Sequence, residues 1–411
     1  MYDFVIDGLF SNSKKVPDNI RHQMNYTVQK AVLKFKDEYL ERYNPSSEQL
    51  KTLNNISKCR TEEMGTRIYE CQNCGEQVFA YNSCKDRHCP NCQNYKKEVW
   101  IDKHQQEIIN APYFHVVMTS PNELHPIFYH NKAEMYKLMF KAASDTIKEL
   151  CEDKKYLGCK VGLLAVLHTW NQTMDYHPHI HMIVTGGGIN SNGEFVYSKE
   201  DYLLPVKVIS RVFRGKFLAY IKASDKLEFY GKYLYLNDKR NLNNYLRPLY
   251  EKEWVCYCKE PFKNVAETYN YLARYTYKVC ISDERIEDID DKYVTIKYRD
   301  RKDSSKTKFM KLEGVEFVRR LLMHVLPKSF MKVRSYGLLA GKNRKKNIVE
   351  LKKKTNTADR KYKIRTKIEI LNQIVGRDIT KCVHCGGELI LKETKMPHAP
   401  PVLLHRGECF G

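Results

Sequence analysis

Apolar residues recur every three to four positions early in the chain. Ile20, Met24, Val28, Val32 and Phe35 fall on one side of a helix predicted over about 19–43, with Asp18 placed to cap it. A second helical pattern covers about 96–109 and ends by Pro112. The period then changes. Residues 113–119 are β-branched and aromatic enough for a strand, and 161–170 and 179–185 read the same way. The last two are joined by the polar stretch 171–176, which makes them antiparallel neighbours, and Gly186-Gly187-Gly188 should end the second. Helices are predicted at 132–151, 206–223, 265–277 and 315–325, the last stopped at Pro327, and a strand at 293–299. The acidic run 283–291 reads as a solvated loop, and 230–249 shows no clear period. Strands interleaved with helices and a hairpin give an α+β class with a mainly antiparallel sheet.

Composition narrows the function. Lys and Arg outnumber Asp and Glu by 70 to 49 in 411 residues, a net charge of +21. So basic a chain points first to nucleic acid. From Gly341 to Lys367 there are twelve Lys/Arg against two acids, including Arg344-Lys345-Lys346 and Lys352-Lys353-Lys354. That stretch reads as a phosphate-tracking arm or helix, or as a solvated linker. No apolar run approaches the ~20 residues a membrane span needs. The beginning of the chain lacks a secretory pattern, so the expectation is a cytoplasmic protein, nucleoid-associated when on DNA, without membrane or small-molecule partners.

Fourteen cysteines suit a reducing compartment only if they bind metal. Cys71-x2-Cys74 and Cys89-x2-Cys92 are two knuckles at the spacing of a four-cysteine zinc ribbon. Cys59, Cys84 and His88 lie in the same stretch and could hold a second ion. Cys382-x2-Cys385 is a third knuckle, for which His405 and Cys409 are the expected partners. Such closed zinc sites stabilise small modules rather than perform chemistry.

The chemistry lies elsewhere. In His177-Pro178-His179-Ile180-His181, strand alternation puts His179 and His181 on one face, half of an open divalent-metal site. Gln172, His168, His177 and His115 are candidates for a third ligand. Phosphate chemistry at such a site would use Mg²⁺ or Mn²⁺. Tyr271 and Tyr275 stand four apart in a helical stretch and share a face. A metal-polarised phosphodiester would let tyrosine, ordinarily a poor nucleophile with a pKa of about 10, attack to give a 5′-phosphotyrosine and a free 3′-hydroxyl. Arg274 could help hold the scissile phosphate.

Several segments together resemble the HUH endonuclease superfamily, specifically rolling-circle transposases of the zinc-ribbon, two-tyrosine insertion-sequence type. They are Cys59-Arg60-Thr61, Tyr69-x-Cys71-x2-Cys74-Gly75, Tyr81-Asn82-Ser83-Cys84, Arg87-His88-Cys89-Pro90-x-Cys92, Leu167-His168-Thr169-Trp170, His177-Pro178-His179-Ile180-His181, Tyr271-Leu272-Ala273-Arg274-Tyr275 and Arg334-Ser335-Tyr336-Gly337-Leu338-Leu339-Ala340. The resemblance implies a transposase acting on single-stranded or hairpin transposon ends. It implies an HUH core whose antiparallel sheet carries His179 and His181 beneath a helix bearing Tyr275 and Tyr271 as nucleophiles, Tyr275 foremost. The expected units are a helical and zinc-binding DNA-binding domain (1–110), the HUH nuclease domain (111–340), and a basic segment with a zinc-knuckle tail (341–411). Two alternatives are a plasmid-type HUH replication initiator or relaxase, and a zinc-ribbon DNA-binding regulator without catalysis.

Overall fold

The structure, a computed structural model, describes residues 26–259, 261, 271, 273, 275–300, 303–341, 343–358 and 363–397. Helix α1 (Val28–Arg42) begins where the Thr27 hydroxyl accepts the Lys30 N–H, and it buries Val28, Ala31, Val32, Phe35 and Tyr39. The expected Asp18 cap, with Ile20 and Met24, lies outside the described residues. Helix α2 (Ser47–Lys58) starts with a reciprocal capping box between Ser46 and Gln49. A hairpin of β1 (Thr66–Cys71) and β2 (Gln77–Tyr81) follows. Helix α3 (Pro90–His104) begins earlier than its apolar pattern suggests, because Pro90 at its start needs no N–H partner.

Strands β3 (Tyr113–Thr119), β4 (Lys160–Trp170), β5 (Tyr176–Ile189), β6 (Phe195–Tyr197), β7 (Cys256–Lys259) and β11 (Val333–Gly337) form one sheet. Its order is β11-β4-β5-β3-β7, with β6 beside the end of β5. Every pairing in it is antiparallel. Alternation gives the sheet two unlike faces. Leu163, Ala165 and Leu167 of β4 join Ile180, Met182 and Val184 of β5 and Phe114, Val116 and Met118 of β3 in the largest core. Helices α4 (Lys132–Glu152) and α5 (Val206–Ala223) cover that face. On the other face Leu164 and Ile183 pack with Trp100, Ala273 and Leu351.

The triple glycine does not end β5, which continues to Ile189. These glycines sit where neighbours crowd the backbone. A Cβ on Gly186 would lie 2.7 Å from the Phe114 ring, and one on Gly188 would lie 1.8 Å from the Lys160 carbonyl oxygen. The unread stretch 230–249 contains a 3₁₀ turn (Gly231–Asn237) and helix α6 (Lys239–Leu246), capped by Asp238.

A second antiparallel sheet runs β8 (Ile286–Ile289), β9 (Tyr293–Asp300), β10 (Lys306–Glu313), and helix α7 (Gly314–Met323) follows it. The acidic run is therefore not a free loop: part of it is β8, and Asp283 Oδ1 accepts the Val28 N–H at 2.7 Å, capping α1. Most of the predicted helix at 265–277 lies outside the described residues, but Tyr271, Ala273 and Tyr275 to Tyr277 are helical.

The basic segment contains helix α8 (Arg344–Lys354), whose Ile348 and Leu351 are buried. Helix α9 (Lys367–Val375) and strand β12 (Leu389–Lys395) follow, and β12 pairs with β1. Two cores cross the expected unit boundaries. One joins Val28, Phe35, Cys59 and Cys92 to Ile296, Phe317 and Leu321. The other joins Tyr69, Cys71 and Val78 to Leu371, Ile379 and Leu389. No described helix is long and apolar enough to cross a membrane.

The close approach at Gly188 makes a prediction. Gly188→Ala must push β4 from β5, an overpacking cost near or above the usual ~1–3 kcal/mol, so the melting temperature should drop by roughly 2–4 °C. An unchanged melting curve would count against this strand pairing.

Candidate active site

The β4–β5 register builds the histidine face. His168 stands opposite His179, and Val166 opposite His181, with β3 alongside placing Val117 opposite His181. Cross-strand partners share a face, so His168 joins the strand pair. One ring nitrogen from each of His168, His179 and His181 lies within 4.8 Å of the others. Of the other third-ligand candidates, His177 shares this face, its ring centroid 5.3 Å from that of His179. Gln172 lies in the β4–β5 turn, where its backbone carbonyl accepts from Arg285.

Hydrogen bonds orient the three rings. His179 Nδ1 contacts the His177 carbonyl at 2.7 Å, which puts its proton on Nδ1 and leaves Nε2 as the ring's basic nitrogen. His168 Nε2 contacts the Tyr275 carbonyl at 2.6 Å, which leaves Nδ1. His181 Nδ1 contacts His115 Nε2 at 2.9 Å, which leaves His181 Nε2. Burial pushes His168 and His181 well below the ordinary imidazole range, with nearby histidines adding to the shift. Neutral imidazoles with oriented lone pairs fit a divalent cation.

Tyr271 and Tyr275 lie over this face. Ala273, between them, is fully buried, and the His168–Tyr275 carbonyl bond ties their helix to the sheet. The Tyr275 ring centroid is 4.2 Å from that of His181, and the Tyr271 hydroxyl donates to the Tyr275 hydroxyl at 3.0 Å. The Tyr271 hydroxyl is also 3.0 Å from His115 Nδ1. One proton arrangement satisfies the whole line: His181 Nδ1–H donates to His115, His115 Nδ1–H to Tyr271, and Tyr271 O–H to Tyr275. Burial, helped by Lys259, lowers His115 to about 3, so it stays neutral. His115 is thus a bridge between His181 and the tyrosines, a role invisible in sequence because it depends on β3 lying beside β5. Arg274 is outside the described residues.

The cysteines sort differently from their sequence spacing. Cys59, Cys84, Cys89 and Cys92 form one cluster, with sulfurs 3.6–3.7 Å apart. Cys71, Cys74, Cys382 and Cys385 form another. The knuckles Cys71-x2-Cys74 and Cys89-x2-Cys92 therefore do not share an ion, because the β1–β2 hairpin carries the first away from the start of α3, where Cys92 lies. His88 is in neither cluster; its Nε2 accepts the Leu326 N–H at 3.4 Å. His405 and Cys409, the expected partners of Cys382 and Cys385, lie outside the described residues. In the basic helix, Arg344 pairs with Glu107, while Lys345, Lys346, Lys353 and Lys354 are exposed and Lys352 half-buried.

An antiparallel sheet thus presents three imidazoles beneath paired tyrosines, with two cysteine clusters beside it. Residues 162–347, which carry the histidine hairpin and the tyrosine pair, match the family described as "Putative transposase", and residues 31–120 match "Transposase zinc-binding domain". The chain belongs to this family of zinc-binding insertion-sequence transposases. It is 36% identical over 362 residues, 85% of this chain and 90% of the relative, to "Putative transposase y4qJ" of Sinorhizobium fredii (strain NBRC 101917 / NGR234). It is 26% identical over 314 residues, 72% of this chain and 71% of the relative, to "Transposase for insertion sequence element IS801" of Pseudomonas savastanoi pv. phaseolicola. No solved structure matches.

Buried neutral histidines set a pH dependence. His324, held between Thr169 and the Met174 carbonyl, is lowered to about 3 by burial. A folded pKa below the unfolded ~6.5 means the unfolded chain binds the proton first, so this contribution is intact above pH 6.5 and is lost as pH falls. By pH 5 the loss amounts to roughly 2 kcal/mol. Melting temperature should fall between pH 7 and 5, and less steeply in His324→Phe. Equal slopes for the two proteins would refute this assignment.

Proposed function

We propose that this transposase cleaves and rejoins single-stranded DNA through Tyr275, then Tyr271, at the face carrying His168, His179 and His181. The observation that carries the reading is the line from His181 through His115 and Tyr271 to the Tyr275 hydroxyl. A divalent cation held by the three imidazoles would neutralise charge on a non-bridging phosphate oxygen. The protein does the rest. Tyr271 donates to the Tyr275 oxygen and helps hold it over the imidazoles. The phenolate oxygen bonds to phosphorus, the bond from phosphorus to the 3′ oxygen breaks, and that oxygen leaves as a 3′-hydroxyl after taking up a proton. The Tyr275 proton departs to solvent. The product is a 5′-phosphotyrosine that retains phosphodiester energy for rejoining, and Tyr271, four residues away on the same helical face, is placed for a second transfer.

Three imidazoles are softer donors than the oxygen ligands Mg²⁺ prefers, so Mn²⁺ is the better-suited ion of the two. DNA binding draws on the net charge of +21 and on the exposed lysines of α8. Lys278 and Lys332 are near enough to His168 to depress it further and add positive charge to its surroundings. Relatives named as transposases favour this reading over a plasmid initiator or relaxase, and the paired tyrosines favour it over a binding-only regulator.

Single-stranded DNA bearing the element's end should give a covalent protein–DNA band on a denaturing gel with Mn²⁺, and none with EDTA. Mn²⁺ should support it at roughly tenfold lower concentration than Mg²⁺. Tyr275→Phe should lower adduct formation at least about 100-fold, whereas Tyr271→Phe should spare the first cleavage and impair strand transfer. An adduct that forms in EDTA, or survives loss of both hydroxyls, would sink the mechanism.

His181→Ala should weaken Mn²⁺ binding, measured by calorimetry without DNA, by at least about tenfold. Unchanged affinity would remove His181 from the ligand set.

A further inference from the structure

We propose that Cys71, Cys74, Cys382 and Cys385 bind a second structural zinc ion, built half from each end of the chain, and that this ion fastens the basic tail to the zinc-binding module. The match to the transposase zinc-binding domain stops at residue 120, so Cys382 and Cys385 lie outside it. Tetrahedral zinc with bonds of about 2.3 Å to sulfur sets its sulfurs about 3.8 Å apart. Here Cys71 and Cys385 are 3.4 Å apart, Cys74 and Cys385 3.3 Å, and Cys74 and Cys382 3.8 Å. These separations are far beyond a disulfide's ~2.05 Å.

The backbone is built the same way on both sides. Each knuckle reads Cys-x2-Cys-Gly, and Gly75 and Gly386 share a φ of +74°. Gly75 N–H donates to the Cys71 carbonyl, and Gly386 N–H to the Cys382 carbonyl, both at 3.0 Å. The halves interlock: Gln72 N–H donates to the Glu388 carbonyl, and β1 pairs with β12 immediately beyond. A Cβ on Gly387 would lie 2.7 Å from the Cys71 sulfur, so only glycine admits that sulfur so close. Tyr69, Val78, Leu371 and Ile379 supply a small core beneath. A core this small is the setting in which a metal supplies much of the folding free energy.

The site has a mechanical consequence. Helix α8 is held to the nuclease face through Leu351 and the Arg344–Glu107 pair. Downstream, Arg365 grips the buried Asp102 carboxylate at 2.6 Å. With the tail fixed by zinc beyond that, the basic segment is a strut anchored at both ends rather than a free arm.

The test is zinc content of the purified full chain by mass spectrometry. It stands apart from the nuclease reading, since it needs no DNA and no catalytic ion. Two zinc ions per chain are expected. Cys382→Ser with Cys385→Ser should leave one. His405→Ala with Cys409→Ser, which removes the tail's own alternative partners, should leave two. One ion in the unaltered chain, two in the Cys382/Cys385 variant, or one in the His405/Cys409 variant would each overturn the proposal. The last variant leaves all four proposed ligands intact, so the count stays decisive even where the cysteine variant folds poorly.

Discussion

The register between β4 and β5 is the constraint on which the site depends. It brings His168 opposite His179 and thereby adds the third imidazole. A slip of one residue would turn the imidazoles of the displaced strand toward the core and its apolar residues away from it. The slip is opposed by burial, because Leu163, Ala165 and Leu167 on one strand and Ile180, Met182 and Val184 on the other all face α4 and α5. At about 25 cal/mol per Å² of apolar surface, exposing several such side chains costs far more than any gain from freeing a histidine. The histidine face is thus held by the hydrophobic face behind it.

The histidine pair was readable because strand alternation is local: His179 and His181 must share a face wherever the strand lies. The same locality exposed the tyrosine pair. The third imidazole and the role of His115 were not readable, because each is set by which strand lies beside which. His168 was one candidate among several until β4 was seen against β5, and His115 became a bridge only with β3 beside β5. The cysteines illustrate the same limit. Adjacent knuckles suggested a shared ion, yet Cys71 and Cys74 face a knuckle more than three hundred residues away. Spacing identifies a half-site; tertiary packing chooses its other half.

Charge patterns were legible in sign and not in role. The acidic run at 283–291 is apolar often enough to form an edge strand, and its first carboxylate caps α1 from a distance. The basic stretch after Gly341 forms a helix because Ile348 and Leu351 lie three apart and can bury together while the lysines stay in water. The lysine heads keep their contact with water and the stems cover apolar surface, so a strongly basic helix can dock on a protein and still offer charge to DNA.

The cysteine cluster at the end of α2 also bears on the geometry of the histidine site. Cys59, Cys89 and Cys92 share a core with Met174, which is fully buried, and Trp170 packs against the same core. Trp170 ends β4 and Met174 lies within the β4–β5 turn, the short loop between His168 and His179. Within it, the Asn171 side chain accepts the Thr173 and Asp175 N–H groups, and Arg320 grips the Thr173 carbonyl and the Asp175 carboxylate from α7. A turn fixed from below by a cysteine-lined core and from the side by an arginine has little freedom to alter the separation of the two strands it joins. Ligand geometry tolerates displacements of only a few tenths of an ångström. The zinc-binding module is therefore part of the scaffold that sets the spacing of the histidines, which gives a physical reason for the two to occur in one chain.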